Sequence, residues 1–369
     1  MKNRKNRRRY SVKYKLACGL TLTLLALSAS ACSSKDNGLS AYNKGVDYLE
    51  DGNYSEAVSS FEQALEKDAN NSEYLIDYGT ALIKEGKYEE AADAYGKAIK
   101  DGTKKTIKEE NKKALRGKGI AYYLAEDEES AISCFEEALA LDVLDDLDQD
   151  INEYLGKCYL VTKQYDRASE TYDVLLKEDK KNYSYYINKA TAKRESGDES
   201  AANDILNEAI SLKEKSDEDK YQEALCHYYL GEEDKAIDVL NGIKDSYSDA
   251  FVLEGDIYYN RKEYENAQAC YEAYLEKEKD SDTSEVSYKL SNCYIKEKNY
   301  KKAIVVIEEA LGGQNIKQKQ KLMYNQILCY EYDSDFNQAY LLAKEYVKEY
   351  PADEDMAREF VFLKTRYNG

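Results

Sequence analysis

Residues that do chemistry are scarce in this chain of 369 residues. It has one histidine, His227, and a single imidazole leaves few forms for a proton-relaying triad or a His-built metal site. Eight cysteines are present, but no two stand in a C-x-x-C spacing, so zinc and redox motifs lack their geometry. Two acidic runs begin like calcium loops. The first, Asp146-Leu147-Asp148-Gln149-Asp150, has Ile151 where glycine is needed and Lys157 where the bidentate glutamate belongs. The second, Asp333-Ser334-Asp335-Phe336-Asn337, is followed by Gln338 instead of glycine. There is no glycine-rich phosphate loop and no G-x-S-x-G. The expectation is a protein that is not an enzyme and has no cofactor and no metal site.

One reactive position remains, Cys32, at the end of a segment that reads as an export signal. Residues 2–15 carry eight Lys or Arg and no acid, and Leu16 to Ala31 is uncharged with small residues at its end. Ala29-Ser30-Ala31-Cys32 resembles a bacterial lipobox, with Ala29 where leucine is usual. That resemblance implies removal of residues 1–31 and a lipid on Cys32, with residues 32–38 as a polar tether. The alternative is an uncut anchor, although sixteen uncharged residues are short of the roughly 20 that span a bilayer. Both readings place the chain outside the cytoplasm on a bacterial cell membrane.

Charge narrows the partners. Losing the eight bases of the leader takes the formal net charge from −19 to −27. Such a surface repels phosphate backbones, so nucleic acid is excluded as a partner. Acids on solvent faces also keep an elongated protein soluble without any partner.

The elements that carry these residues repeat. In Ala41 to Asn71 two apolar stripes flank the turn Glu50-Asp51-Gly52-Asn53. Small residues (Gly45, Ala57, Ala64) fall where two helices must touch, and large ones (Tyr48, Tyr54, Phe61) fill between them. With Gly45 as anchor, equivalent positions are Gly79, Gly119, Gly156, Ala190, Ala224, Gly255, Ser291 and Ile327, at steps of 34, 40, 37, 34, 34, 31, 36 and 36 residues. Twelve residues after each anchor stands an alanine: Ala57, Ala91, Ala131, Ala168, Ala202, Ala236, Ala267, Ala303 and Ala339. Three after the anchor the residue is large and apolar or aromatic, except at Lys193 and His227. The spacing resembles the tetratricopeptide repeat, a unit of 34 residues. The resemblance implies an all-α, right-handed superhelical solenoid of about nine helix pairs over residues 39–351. Residues 352–369 then form a C-terminal capping helix with Met356, Phe360 and Leu363 on one face. The only proline, Pro351, falls where that family often has one.

Departures from the pattern predict local differences. Six extra residues before the third unit, including Gly102-Thr103-Lys104-Lys105, predict a longer loop. Residues 183–247 are atypical, with Lys193 and His227 at tyrosine positions and Glu199 and Glu233 where neighbouring units have Tyr165 and Tyr264; they read as a softer joint. Cys158, Cys226, Cys293 and Cys329 each lie two residues after an anchor. Equivalent positions in stacked helices are about 8–10 Å apart, beyond the roughly 7 Å a disulfide tolerates. With Cys134 and Cys270 they read as small buried thiols, and His227 as a packing residue.

The family's inner groove supplies the functional expectation. Helical phase puts Tyr42, Asn43, Tyr123, Tyr154, Asn188, Tyr221, Tyr228, Tyr259, Tyr288, Asn292, Tyr324 and Asn325 on the inward face of the first helices. Tyrosine offers a flat apolar ring with one hydroxyl, and asparagine a donor beside an acceptor, a pairing suited to a polypeptide backbone. The expected partner is a protein or peptide; a cell-wall glycan, stacked on the same rings, is the alternative. With 37 tyrosines to 6 phenylalanines, the chain favours tyrosine everywhere. The family's carboxylate-gripping groove is not expected, since its matching positions hold Tyr42, Val46, Asp77, Lys113 and Gly117, of which only Lys113 agrees.

Overall fold

The computed structural model describes residues 37–212, 216–278, 282–313 and 316–367. The export segment and Cys32 lie outside the described residues. Among those described, nineteen α-helices follow one another and no strand forms. Eighteen pair as hairpins: α1 (Leu39–Glu50) with α2 (Tyr54–Leu65), α3 (Ser72–Glu85) with α4 (Tyr88–Ala98), and α5 (Lys105–Leu124) with α6 (Glu128–Leu139). Then come α7 (Asp148–Val161) with α8 (Tyr165–Glu178), α9 (Tyr183–Glu195) with α10 (Glu199–Ile210), and α11 (Asp217–Tyr229) with α12 (Glu233–Asn241). The last three are α13 (Asp249–Asn260) with α14 (Tyr264–Lys277), α15 (Ser284–Lys296) with α16 (Tyr300–Leu311), and α17 (Lys319–Tyr332) with α18 (Phe336–Glu349); α19 (Glu354–Lys364) stands alone. The solenoid expectation holds.

Every hairpin turns in the same way. Seven residues after each anchor the backbone enters the left-handed region, at Gly52, Gly86, Gly197 and Gly231 but also at Glu126, Lys163, Lys262, Lys298 and Ser334. The next amide then donates to the carbonyl five residues before it, as Asn53 to Tyr48, Gln164 to Tyr159 and Asp335 to Tyr330, each at 2.8 Å. This is a Schellman-type closure, which satisfies a carbonyl left free at the helix end. Five side-chain-bearing residues accept a conformation that favours glycine, because the turn geometry is set by the helices on either side.

Each hairpin closes on a crossing whose two residues share a fixed volume. At Gly45, Gly79, Gly119, Gly156 and Gly255 an added Cβ would lie 2.7, 2.9, 2.5, 2.9 and 2.6 Å from the ring of Phe61, Tyr95, Phe135, Tyr172 and Tyr271. In each case the ring stands sixteen residues after the glycine. Where the anchor grows, the partner shrinks: Ala190 faces Leu206, Ala224 faces Leu240, and Ile327 shares a buried cluster with Ala343. Ser291 and Ile307, both fully buried, occupy the same two positions in the eighth unit. Close packing tolerates neither a void nor an overlap at such a point. The nine alanines twelve after the anchors are all 0% exposed.

Consecutive helices pack along the whole chain, and first helices also touch one another directly at α1–α3, α3–α5, α5–α7, α9–α11 and α15–α17. No pair of second helices does so to a comparable extent. The stack is therefore drawn together on its first-helix side and splayed on the other. Charge divides along the same line. The second helices carry far more acids than bases, α6 having Glu128, Glu129, Glu136 and Glu137 and no base, whereas acids and bases nearly balance on the first helices.

The longer loop predicted before the third unit does not form. Residues 99–104 link α4 to α5, no more than the 66–71 that link α2 to α3. The insertion lengthens α5, which runs for 20 residues, because Lys105 to Lys113 is free of glycine and proline and carries a Lys105–Glu109 pair one helical turn apart. That helix brings Lys112, 0% exposed, to Asp148 at 2.6 Å and to the Leu141 carbonyl at 3.2 Å, an ion pair across the third and fourth units. Cys134, Cys158, Cys226, Cys270, Cys293 and Cys329 are buried free thiols. His227 is buried too, its Nδ1 2.7 Å from Glu232. At the C-terminus Met356 and Leu363 of α19 are buried, and Phe360 stacks on Tyr340 at 5.3 Å.

The turn geometry makes a prediction. An added Cβ at Gly86 meets nothing within 4 Å, so Gly86→Ala should cost about 1 kcal/mol through backbone strain alone. Lys298→Gly, at a φ of 61°, should change stability in the opposite sense. Urea unfolding of both variants checks the pair.

Candidate functional site

The first-helix wall is where the predicted binding residues gather, and most of them are already in use. Tyr42 stacks on Tyr74 of the next unit at 4.5 Å, and its hydroxyl donates to Asp77 Oδ2 at 2.5 Å. Tyr123 meets Tyr154 edge-on at 5.3 Å, with the Lys157 ammonium 5.5 Å from the Tyr154 ring. Tyr221 lies against Tyr247 at 5.2 Å, Tyr259 against Tyr264 at 5.4 Å and Tyr324 against Tyr346 at 6.3 Å. Tyr228 accepts from the Asn260 amide at 2.9 Å, and Lys321 sits over Tyr288 at 5.6 Å. Tyr42, Tyr123, Tyr228 and Tyr288 bridge to the next hairpin, whereas Tyr259 and Tyr324 pack within their own; all remain half-buried, keeping only part of each ring for a partner.

The asparagines differ among themselves. Asn43 is exposed and Asn188 half-buried. Asn325, expected to line the groove, is instead buried at 7% exposure, donating to Ser291 Oγ at 3.1 Å and to Asn292 Oδ1 at 2.8 Å. Helical phase alone placed it inward, but the Ser291 hydroxyl, which donates to the Tyr288 carbonyl at 2.7 Å, keeps a lone pair that accepts from the Asn325 amide and draws it into the stack. Asn292 is the acceptor in that bond and stays half-buried.

Two wall residues escaped the phase rule. Tyr229 and Tyr332 are 41% and 51% exposed, each five residues after an anchor. Tyr229 lies beside Tyr228 at 5.7 Å, and Tyr332 packs on Tyr300 of the preceding unit at 5.5 Å. The signal in the sequence was an aromatic residue where other units carry Lys84, Leu124 or Lys296.

The positions matching a carboxylate-gripping groove are taken by internal contacts. Asp77 faces Tyr42, and Gly117 receives the Tyr95 ring of the preceding unit so closely that a Cβ would fall 2.4 Å from it. Burial pushes the Asp77 carboxyl up to about 6, with Glu73 adding to the rise, while the Tyr42 hydroxyl and Lys113 pull the other way. Burial likewise raises the Tyr42 phenol, with Asp77 beside it adding to the rise. Among the described residues no group of His, Cys, Asp or Glu is arranged to hold a metal ion, and no helix is long and apolar enough to cross a membrane.

Models of the tetratricopeptide repeat match residues 42–105, 76–142, 116–183 and 252–316, and a second such model matches residues 220–250. The chain belongs to the tetratricopeptide-repeat family. Residues 184–219 lie outside these matches, yet α9 and α10 within them fold as an ordinary hairpin with the Ala190–Leu206 crossing. Among solved structures, a tetratricopeptide repeat protein from Parabacteroides merdae is 19% identical over 70% of this chain and 99% of its own, with a TM-score of 0.54. MamA is 18% identical over 50% of this chain and 100% of its own, at a TM-score of 0.43. YrrB, described as a TPR protein with an unusual peptide-binding site, is 18% identical over 48% and 87%, at 0.42. At these identities the likeness concerns the fold. No curated protein matches the sequence.

The raised carboxyl at Asp77 sets a pH test. An unfolded aspartate titrates near ~3.9, so between roughly pH 4 and 6 the native chain holds a proton that the unfolded chain lacks, and this group favours folding more as pH falls. The stability of the unaltered chain relative to Asp77→Asn should therefore rise between pH 7 and pH 4.5, read as the difference in urea midpoints. A carboxyl of ordinary affinity gives no such trend over that range.

Proposed function

We propose that this tetratricopeptide-repeat protein is a membrane-tethered extracytoplasmic scaffold that holds a protein or peptide along the wall of its first helices. Cys32 carries the lipid in this reading, and residues 33–38 give the stack its reach from the membrane. The observation that carries the proposal is the asymmetry of the stack. Its first-helix side is drawn together, nearly balanced in charge and lined with tyrosine rings and amides, while acidity is concentrated on the second helices. A balanced aromatic wall suits a polypeptide, whose backbone groups are satisfied by hydroxyls and amides and whose apolar side chains lie on ring faces. The acidic outer side keeps the rest of the surface soluble and open to few anionic neighbours.

A photo-cross-linking residue in place of Tyr229 or Tyr332, both exposed, should capture a defined protein in intact cells, and one in place of Ser133 on the outer side should not. Tyr229→Ala with Tyr332→Ala should lower the capture measured from wall positions Tyr259 and Tyr288 at least tenfold. Equal capture from Ser133, or co-sedimentation with purified cell wall in place of protein capture, would overturn the peptide reading. Cys32→Ser should move the protein out of the membrane fraction; unchanged fractionation and mass would remove the lipid.

A further inference from the structure

We infer that the sixth hairpin, α11 with α12, is a bending joint between a block of hairpins one to five and a block of hairpins seven to nine. The contacts α10–α11 and α12–α13 are the two smallest between consecutive helices. Helix α12 has nine residues, the shortest of the second helices, and buries only Ala236 and Leu240. Its crossing uses Leu240, where five other hairpins use a ring. Buried apolar residues on either side fall into separate clusters. One gathers around Tyr183 to Cys226, one around Ala224 to Ile257, and a third begins at Ala267. Apolar burial across the joint rests on the small Ala224–Ile257 cluster, which joins α11 and α12 to α13, and burial is what resists bending.

Polar bridges add to that cluster. Arg261 reaches back to Glu233 at 2.5 Å and Asp234 at 2.8 Å. Lys277 donates to the carbonyls of Lys244 and Asp245 at 2.8 and 3.2 Å, and Asn260 to the Tyr228 hydroxyl at 2.9 Å. Asp234 is 89% exposed in its side chain, so salt screens its attraction to Arg261 and leaves the flanking apolar crossings untouched. Loosening the Arg261 bridges lets the two blocks change their angle about unit six without unfolding either.

Fluorophores at Asp204 and Ala269 span the joint, and fluorophores at Ser59 and Ser133 span one hairpin of the first block in the same register; all four residues are exposed. In the full chain in detergent, raising NaCl from about 0.05 M to about 1 M, across which the screening length falls from above ~10 Å to ~3 Å, should shift or broaden the energy-transfer distribution of the first pair only. Arg261→Met should give the same change at low salt, with far-UV circular dichroism unaltered. Equal responses from both pairs, or no response of the Asp204–Ala269 pair to salt, would overturn the joint; the salt arm uses the unaltered Arg261 and stands even where the variant fails to fold.

Discussion

Two helices come together only as closely as the residues at their crossing permit, and in this chain that limit is met nine times with the same total volume. Glycine against a ring, alanine against leucine, serine against isoleucine and isoleucine against alanine are four solutions to one packing problem. The summed volume is held while its division between the two helices drifts. Because the distance within each hairpin is preserved, the next hairpin meets a surface of constant shape, and stacking continues through units whose sequences have little else in common. A protein of this length would otherwise divide into separate globular cores.

The bias towards tyrosine follows from the same geometry. Rings fill the space between neighbouring first helices, and their hydroxyls find carboxylates there: Tyr42 with Asp77 and Tyr185 with Glu153. Phenylalanine would fill the volume and leave those carboxylates without donors. A wall built from such pairs has one surface engaged in holding the stack and another turned outwards. Binding and folding thus draw on the same residues, and the exposed rings at Tyr229 and Tyr332 are the ones least committed to the stack.

Much of this was legible in the sequence, for a definite reason. The alanines twelve after each anchor sit where contact is closest, so drift there is confined to one residue type and the period is visible despite steps of 31 to 40 residues. The ring sixteen after the anchor was harder to read, because its identity changes whenever the anchor changes. The left-handed turn was visible at Gly52 but not at Lys163 or Lys298, whose side chains give no hint of a positive φ. Composition misled at Gly102 to Lys105, where a turn-like start preceded a strong helix. Asn325 was misplaced because phase tells which way a side chain points and not what its neighbours offer.

The most direct measurement is a double-mutant cycle at the third crossing, where an added Cβ on Gly119 would lie 2.5 Å from the Phe135 ring. Gly119→Ala alone should destabilise the chain by about 1–3 kcal/mol through overpacking. Adding Phe135→Leu, which converts this crossing into the alanine–leucine form of the fifth unit, should recover stability, with a favourable coupling of at least about 1 kcal/mol in urea unfolding. If the two substitutions simply add, the crossings do not conserve volume, and the stack is held in register by something else.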